Sequence, residues 1–180
     1  MNHVVAFVLA IFLFVSGFIM VSVRVCDNVN RRIDKQNMNL AGKVVTEYAR
    51  YNEDYGVCID EAGYVNELKN LMSNKITGCI FVYERNIKGV NSHGEIVADI
   101  STEEMNEKNI ITAVNSILYE LIDYNGPLVN INVACSDEYI KNKLFNGIQG
   151  VTVFAVTCRE RNGQYTYNVV GYCILSHINI

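Results

Sequence analysis

The chain has 180 residues, of which 50% are hydrophobic and 19% charged, a composition that excludes extended disorder. A formal net charge of −4 with no long basic run excludes a nucleic-acid-binding arm, so nucleic acid is not expected as a partner. One proline and twelve glycines exclude collagen-like and proline-rich chains.

Residues 4–23 read VVAFVLAIFLFVSGFIMVSV, with no charge and only Ser16, Gly17 and Ser22 breaking the apolar run. At about 1.5 Å per residue such a helix reaches roughly 30 Å, the thickness of a bilayer's hydrocarbon core. A helix closes its own backbone hydrogen bonds and can therefore cross lipid. Residues 1–23 are expected to be a single-pass transmembrane signal-anchor, with the lipid bilayer as first partner. Cleavage as a signal peptide is disfavoured, because the apolar core is long and the exit Val21-Ser22-Val23-Arg24 lacks a small-x-small site. Ala6 and Ala10 make a small-xxx-small step suited to helix association.

Two signals disagree about orientation. Arg24, Arg31, Arg32 and Lys35 follow the run and no basic residue stands before it, which by the positive-inside rule places the C-terminal bulk in the cytoplasm. Six cysteines point the other way, since paired cysteines belong in an oxidising compartment. The cysteines are given more weight, and the C-terminal domain is expected to be extracytoplasmic.

Residues 24–55 continue as a juxtamembrane amphipathic helix. Val25, Val29, Ile33, Leu40, Val44 and Tyr48 recur mostly at four- or seven-residue intervals, and the helix is expected to run to about residue 53. Residues 56–180 form one soluble domain. A short helix is expected over 61–72, with Val65, Leu68 and Leu71 or Met72 on one face. Residues 77–84 alternate, with Cys79, Phe81 and Tyr83 on one side and Ile80 and Val82 on the other. After the turn cluster 91–94, residues 95–100 return as a strand with Ile96, Ala98 and Ile100 on one face. Ser101 and Glu104 make a capping-box pattern before a helix whose buried stripe is Met105, Ile110, Ile111, Val114, Leu118, Leu121 and Ile122. Asn125-Gly126-Pro127 stops it.

Residues 128–135 alternate as a half-buried strand, with Val129, Ile131, Val133 and Cys135 inward. Residues 136–145 form a helix capped by Ser136. Residues 151–158 and 165–175 are strand-like and flank Asn162-Gly163, the pair that specifies a two-residue type I′ hairpin. The fold class is therefore α+β: a mainly antiparallel sheet of roughly four to five strands with helices on one face, after the long N-terminal helix.

The cysteines are Cys26, Cys58, Cys79, Cys135, Cys158 and Cys173. None stand in C-x-x-C pairs, and His3, His93 and His177 have no ligand spacing, so neither a metal nor another cofactor is expected. Disulfide candidates are Cys58, Cys79, Cys135, Cys158 and Cys173. The hairpin register sets Cys158 opposite Tyr167 and Cys173 opposite Thr152. That leaves the two cysteines roughly 20 Å apart along the strands and excludes their pairing. Cys58–Cys79 is the preferred local pair, and free buried thiols are the alternative. Cys26, beside the membrane, suits acylation or a cross-link between protomers.

Phosphate-cradling loops and hydrolase motifs are absent. Cys135, at a strand end, with His93 or His177 is the thiol–imidazole pair weighed, and an enzyme would need them within hydrogen-bond reach. Glu103, Glu104 and Glu107, like Asp137 and Glu138, fall in the first turns of expected helices, where the helix dipole favours negative charge. Eleven tyrosines, among them Tyr83, Tyr165, Tyr167 and Tyr172, suit either strands or an adhesive face. A non-enzymatic protein is expected.

An apolar N-terminal helix that continues into an amphipathic half, followed by a small α+β domain closing on an antiparallel hairpin, resembles type IV pilin-like and Tad-type pseudopilin subunits. The likeness is best over residues 4–51 and architectural beyond. It implies a subunit anchored by its apolar helix that packs laterally with others, alike or different, in a surface or secretion assembly. The pilin cleavage glycine and the glutamate at the fifth mature position have no counterpart: Gly17 lies inside the run, and the fifth residue after it is Ser22. The alternative is a membrane-tethered binding or viral entry protein that displays its domain singly.

Overall fold

The computed structural model of the chain describes residues 2–52, 56–72, 75–126, 131–145 and 150–175. The chain divides into two compact units, Met1–Asn39 and Leu40–Ile180. The first consists of helix. α1 (Asn2–Tyr48) runs for 47 residues, and no proline interrupts it. Its apolar stretch Val4–Cys26 is long enough to cross a membrane, and none of it is buried by protein. Phe14 is 77% exposed and Phe7, Phe12 and Phe18 nearly as much, so no side of this stretch serves a protein core.

In the second unit the last turns of α1 carry Val44 and Val45 into the core, 5% and 1% exposed. The helix stops at Tyr48, short of the expected residue 53. Its end is met by the Asp60 amide, which donates to the Tyr48 carbonyl at 3.4 Å. β1 (Ala49–Asn52) instead pairs antiparallel with β2 (Gly56–Ile59), from Ala49 opposite Ile59 to Asn52 opposite Gly56. Tyr51 and Asn52 gain little from helix, and the ribbon brings Ile59 into the core.

α2 (Glu61–Leu71) begins at Asp60, whose carboxylate accepts from the Gly63 amide at 3.1 Å. Tyr64, Val65 and Leu68 are its buried face; Met72 completes that face, while Leu71 points outward. β3 (Lys75–Val82), β4 (Asn86–Asn91) and β5 (Ile96–Ser101) form an antiparallel meander. β4 was not expected from the sequence. α3 (Glu107–Asn125) follows, then β6 (Ile131–Ala134), α4 (Asp137–Phe145), β7 (Gly150–Arg161) and β8 (Gln164–Leu175).

The main sheet has the order β5-β4-β3-β7-β8-β6. Five of its strands pair antiparallel, which gives the expected α+β class, and β6 adds a sixth in parallel against β8. The β7–β8 hairpin has the expected register, with Cys158 opposite Tyr167 and Cys173 opposite Thr152. Its turn residues Asn162 and Gly163 have φ of 52° and 74°, the left-handed pair a type I′ turn requires.

The sheet carries helices on both faces, not on one. α2 and the end of α1 pack with Cys79, Phe81, Val153 and Ala155 on the first face. α3 and α4 pack with Ile80, Val82, Phe154 and Val156 on the other. The cause is visible in β3 and β7, whose runs CIFV and VFAV are apolar at consecutive positions. Such runs mark a strand buried on both sides, whereas alternation marks a strand with one wet face.

Candidate functional site

The feature with the clearest physical demand is the apolar stretch of α1. Its 23 residues give roughly 35 Å of helix, enough for a hydrocarbon core with some tilt. Ser16 does not leave a hydroxyl unsatisfied there: its Oγ donates to the Leu13 carbonyl at 3.0 Å. A Cβ at Gly17 would meet nothing within 4 Å. Ala6 and Ala10 are exposed one turn apart on this helix, and Cys26 is exposed at its end.

All six cysteines are free thiols, so the expected disulfides are absent. The strand register explains why. Cys58 stands opposite Arg50 on the ribbon, and Cys79 lies between Val90 and Ala155. Cys158 and Cys173 stand opposite Tyr167 and Thr152. Cys79 is fully buried and Cys58 half-buried, both as free thiols, so the preferred Cys58–Cys79 pair is not made. Cys173 donates to the Lys143 carbonyl at 3.0 Å, and Cys135 packs half-buried against the α3–α4 cluster.

Neither Cys79 nor Cys135 is set up as a nucleophile by its surroundings. Burial pushes the Cys79 thiol well above its ordinary value, and burial followed by the Asp137 carboxylate raises Cys135. Cys135 follows β6 at one sheet edge, while His93 sits in the β4–β5 turn at the other. Four or five strand spacings, roughly 20 Å, separate them. His177 lies outside the described residues. Among the described residues, no group of three His, Cys, Asp or Glu side chains is placed to hold a metal ion.

The carboxylates do structural work. Glu103 and Glu104 precede α3 rather than opening it, because Asn106 is the cap: its side chain accepts from the Asn109 amide at 3.0 Å. Ser101 belongs to β5, opposite Asn86, so the Ser101–Glu104 capping box does not form. Glu107 does lie in the first turn and pairs with Lys141 at 2.8 Å. Ser136 caps α4 as expected, accepting from the Tyr139 amide at 3.2 Å, and Asp137 accepts from the Asn115 side chain at 2.7 Å.

The sequence alone did not disclose one polar cluster. Glu61 Oε1 accepts from the Tyr83 hydroxyl at 2.7 Å and from Lys88 Nζ at 3.1 Å, with Lys88 also over the Tyr83 ring. Lys88 stands on β4, the unexpected strand, so its meeting with Glu61 could not be anticipated. Burial first, and the Glu61 carboxylate second, hold the Tyr83 hydroxyl protonated far into the alkaline range. Tyr64 and Tyr172 are likewise raised by burial; among the described residues neither hydroxyl has a hydrogen-bond partner. Tyr64 is buried and Tyr83 and Tyr172 are half-buried, so these three phenols offer little to an adhesive face.

No protein family, curated protein or solved structure matches the chain.

Proposed function

We propose that this protein is a single-pass, membrane-anchored, non-enzymatic subunit of a multi-chain membrane assembly of the surface or secretion (pilus-like) type. Its partners are the lipid bilayer and other protein subunits. The observation that carries the reading is the exposure of Val4–Cys26: large apolar side chains on every side of an uninterrupted helix have no solvent but lipid or neighbouring apolar helices. Lateral packing would use the Ala6–Ala10 step, where small side chains let two backbones approach and gain dispersion contacts. The folded unit, in which α1 ends, is then held at the membrane for other chains to engage.

The test is the state of the detergent-solubilised full chain. Ordered multimers are expected by analytical ultracentrifugation. Phe12→Lys, which places a charge at the middle of the span, is expected to abolish them. A chain that stays monomeric with and without that charge would remove assembly through the helix and leave a singly displayed binding protein.

A further inference from the structure

We infer that the folded unit Leu40–Ile180 lies on the cytoplasmic side of the membrane, with the segment just after the span seated against that leaflet's anionic headgroups. The inference rests on the single-pass reading above and goes beyond it by fixing the side. It reverses the extracytoplasmic placement that six cysteines suggest when counted as three pairs.

Two independent observations carry it. The first is the state of the thiols. Six cysteines are free, and every cysteine on a paired strand faces a different residue type across the ladder. Only Cys79 is fully buried; Cys26 is exposed and Cys58, Cys135, Cys158 and Cys173 are half-buried. Five accessible, unpaired thiols persist in a reducing compartment, where glutathione and thioredoxin keep them so. The second is charge. Arg24, Arg31, Arg32 and Lys35 follow the span within a dozen residues. At 100° per residue the four positions fall within about 100° of arc, so they form a stripe along one side of the helix. The stripe borders the apolar positions Val25, Val29, Ile33 and Leu40, whereas Asp27 and Asp34 fall on the remaining side. Arg24, Arg31 and Arg32 lie within roughly 14 Å of the end of the apolar run, inside the combined reach of the headgroup layer and one Debye length. Anionic lipids concentrate in the cytoplasmic leaflet, and basic residues next to a span are retained on that side. A chain so placed contributes to the membrane-embedded base of an assembly rather than to an external filament.

The native cysteines are the reporters for the test. Cells expressing the full chain are treated with a membrane-impermeant polyethylene-glycol maleimide, before and after permeabilisation and without reductant, and adducts are counted by gel shift. The expected result is no adduct on intact cells and ready modification after permeabilisation, with the Cys26→Ala variant losing one adduct. Arg24→Glu, Arg31→Glu, Arg32→Glu and Lys35→Glu together are expected to raise labelling on intact cells by about fivefold or more as chains invert. Modification of the native chain on intact cells, or modification only after a reductant, overturns the inference. Carbonate extraction of the same samples separates this failure from failure of the anchor. A pelleted chain labelled from outside sinks the orientation alone, whereas a chain released to the supernatant sinks the single-pass reading beneath it.

Discussion

Tyr64 sits in the core with its hydroxyl lacking a partner among the described residues, and an unpartnered buried polar group costs about 1–3 kcal/mol. Its ring packs edge-on against Phe81 at 5.8 Å between centroids, so the aromatic part is well used and only the oxygen is costly. Tyr64→Phe is therefore expected to stabilise the domain by about 1 kcal/mol at neutral pH, read as a higher urea midpoint. The same residue contributes to the alkaline limit. Tyr64, Tyr83 and Tyr172 have folded-state pKa values raised by burial, and Tyr167 is pushed up to about 12. A raised folded value leaves stability untouched below the unfolded value near 10. Above it the unfolded chain loses protons that the folded chain keeps, so stability falls by about 1.4 kcal/mol per pH unit for each such tyrosine. Circular dichroism should show stability flat to about pH 10 and steeply lost beyond, with Tyr64→Phe reducing the slope by one tyrosine's share. Glu61 makes the complementary case. Glu61→Gln leaves Lys88, 24% exposed at its side chain, without its ion pair, and is expected to cost roughly 1–2 kcal/mol. A double-mutant cycle with Lys88→Met checks it: if the two losses simply add, the pair carries no coupling.

At the scale of elements, what was legible depended on whether the signal was local. The β7–β8 hairpin could be read to the residue because Asn162-Gly163 admits one turn type and the register follows from it. α2, α4 and the later part of the α3 stripe, Val114, Leu118, Leu121 and Ile122, could be read because helical periodicity sits in adjacent residues; Met105 falls before α3, and Ile117, 1% exposed, was missed. The strands that escaped are those whose partners are distant. In β4, Lys88 and Gly89 interrupt the apolar pattern, and only pairing with β3 and β5 makes a strand of it. A bulge between Gly89 and Val90 leaves Val97 out of the pairing, so Ile96 falls out of phase with Ala98 and Ile100. Ile96 is consequently 57% exposed although the alternation placed all three together. Gly89 is also a place where α3 presses on the sheet: a Cβ there would collide with Ile117 Cγ2 and come within 3.2 Å of Val97 Cγ2. Gly89→Val should force α3 off β4 and cost roughly 1–3 kcal/mol, seen as a lower urea midpoint with unchanged helix content at low denaturant. A wild-type midpoint would mean that the helix does not bear on that strand.

Across the whole molecule, the apolar run of α1 was plain from composition, because crossing lipid demands about twenty predominantly apolar residues whatever follows them. Where the helix ceases to be anchor and becomes domain was not, because the polar pattern after residue 24 is continuous and the change depends on what Val44 and Val45 meet. Both valines lie in the core with Tyr64, Leu68 and Phe81, beyond the division at Leu40. A chain beginning at Leu40 should therefore be soluble and unfold cooperatively, since it keeps every residue of that core. A chain beginning at Ala49 loses two buried valines, each worth about 1.5–3 kcal/mol, and the Tyr48 ring that packs edge-on against Tyr64. It should lose at least about 3 kcal/mol, a large part of what holds a domain of this size together. The comparison is made by thermal and urea unfolding of the two fragments. Equal midpoints would show that the last turns of α1 are only a tether, and that the sheet and its other three helices close the core without them.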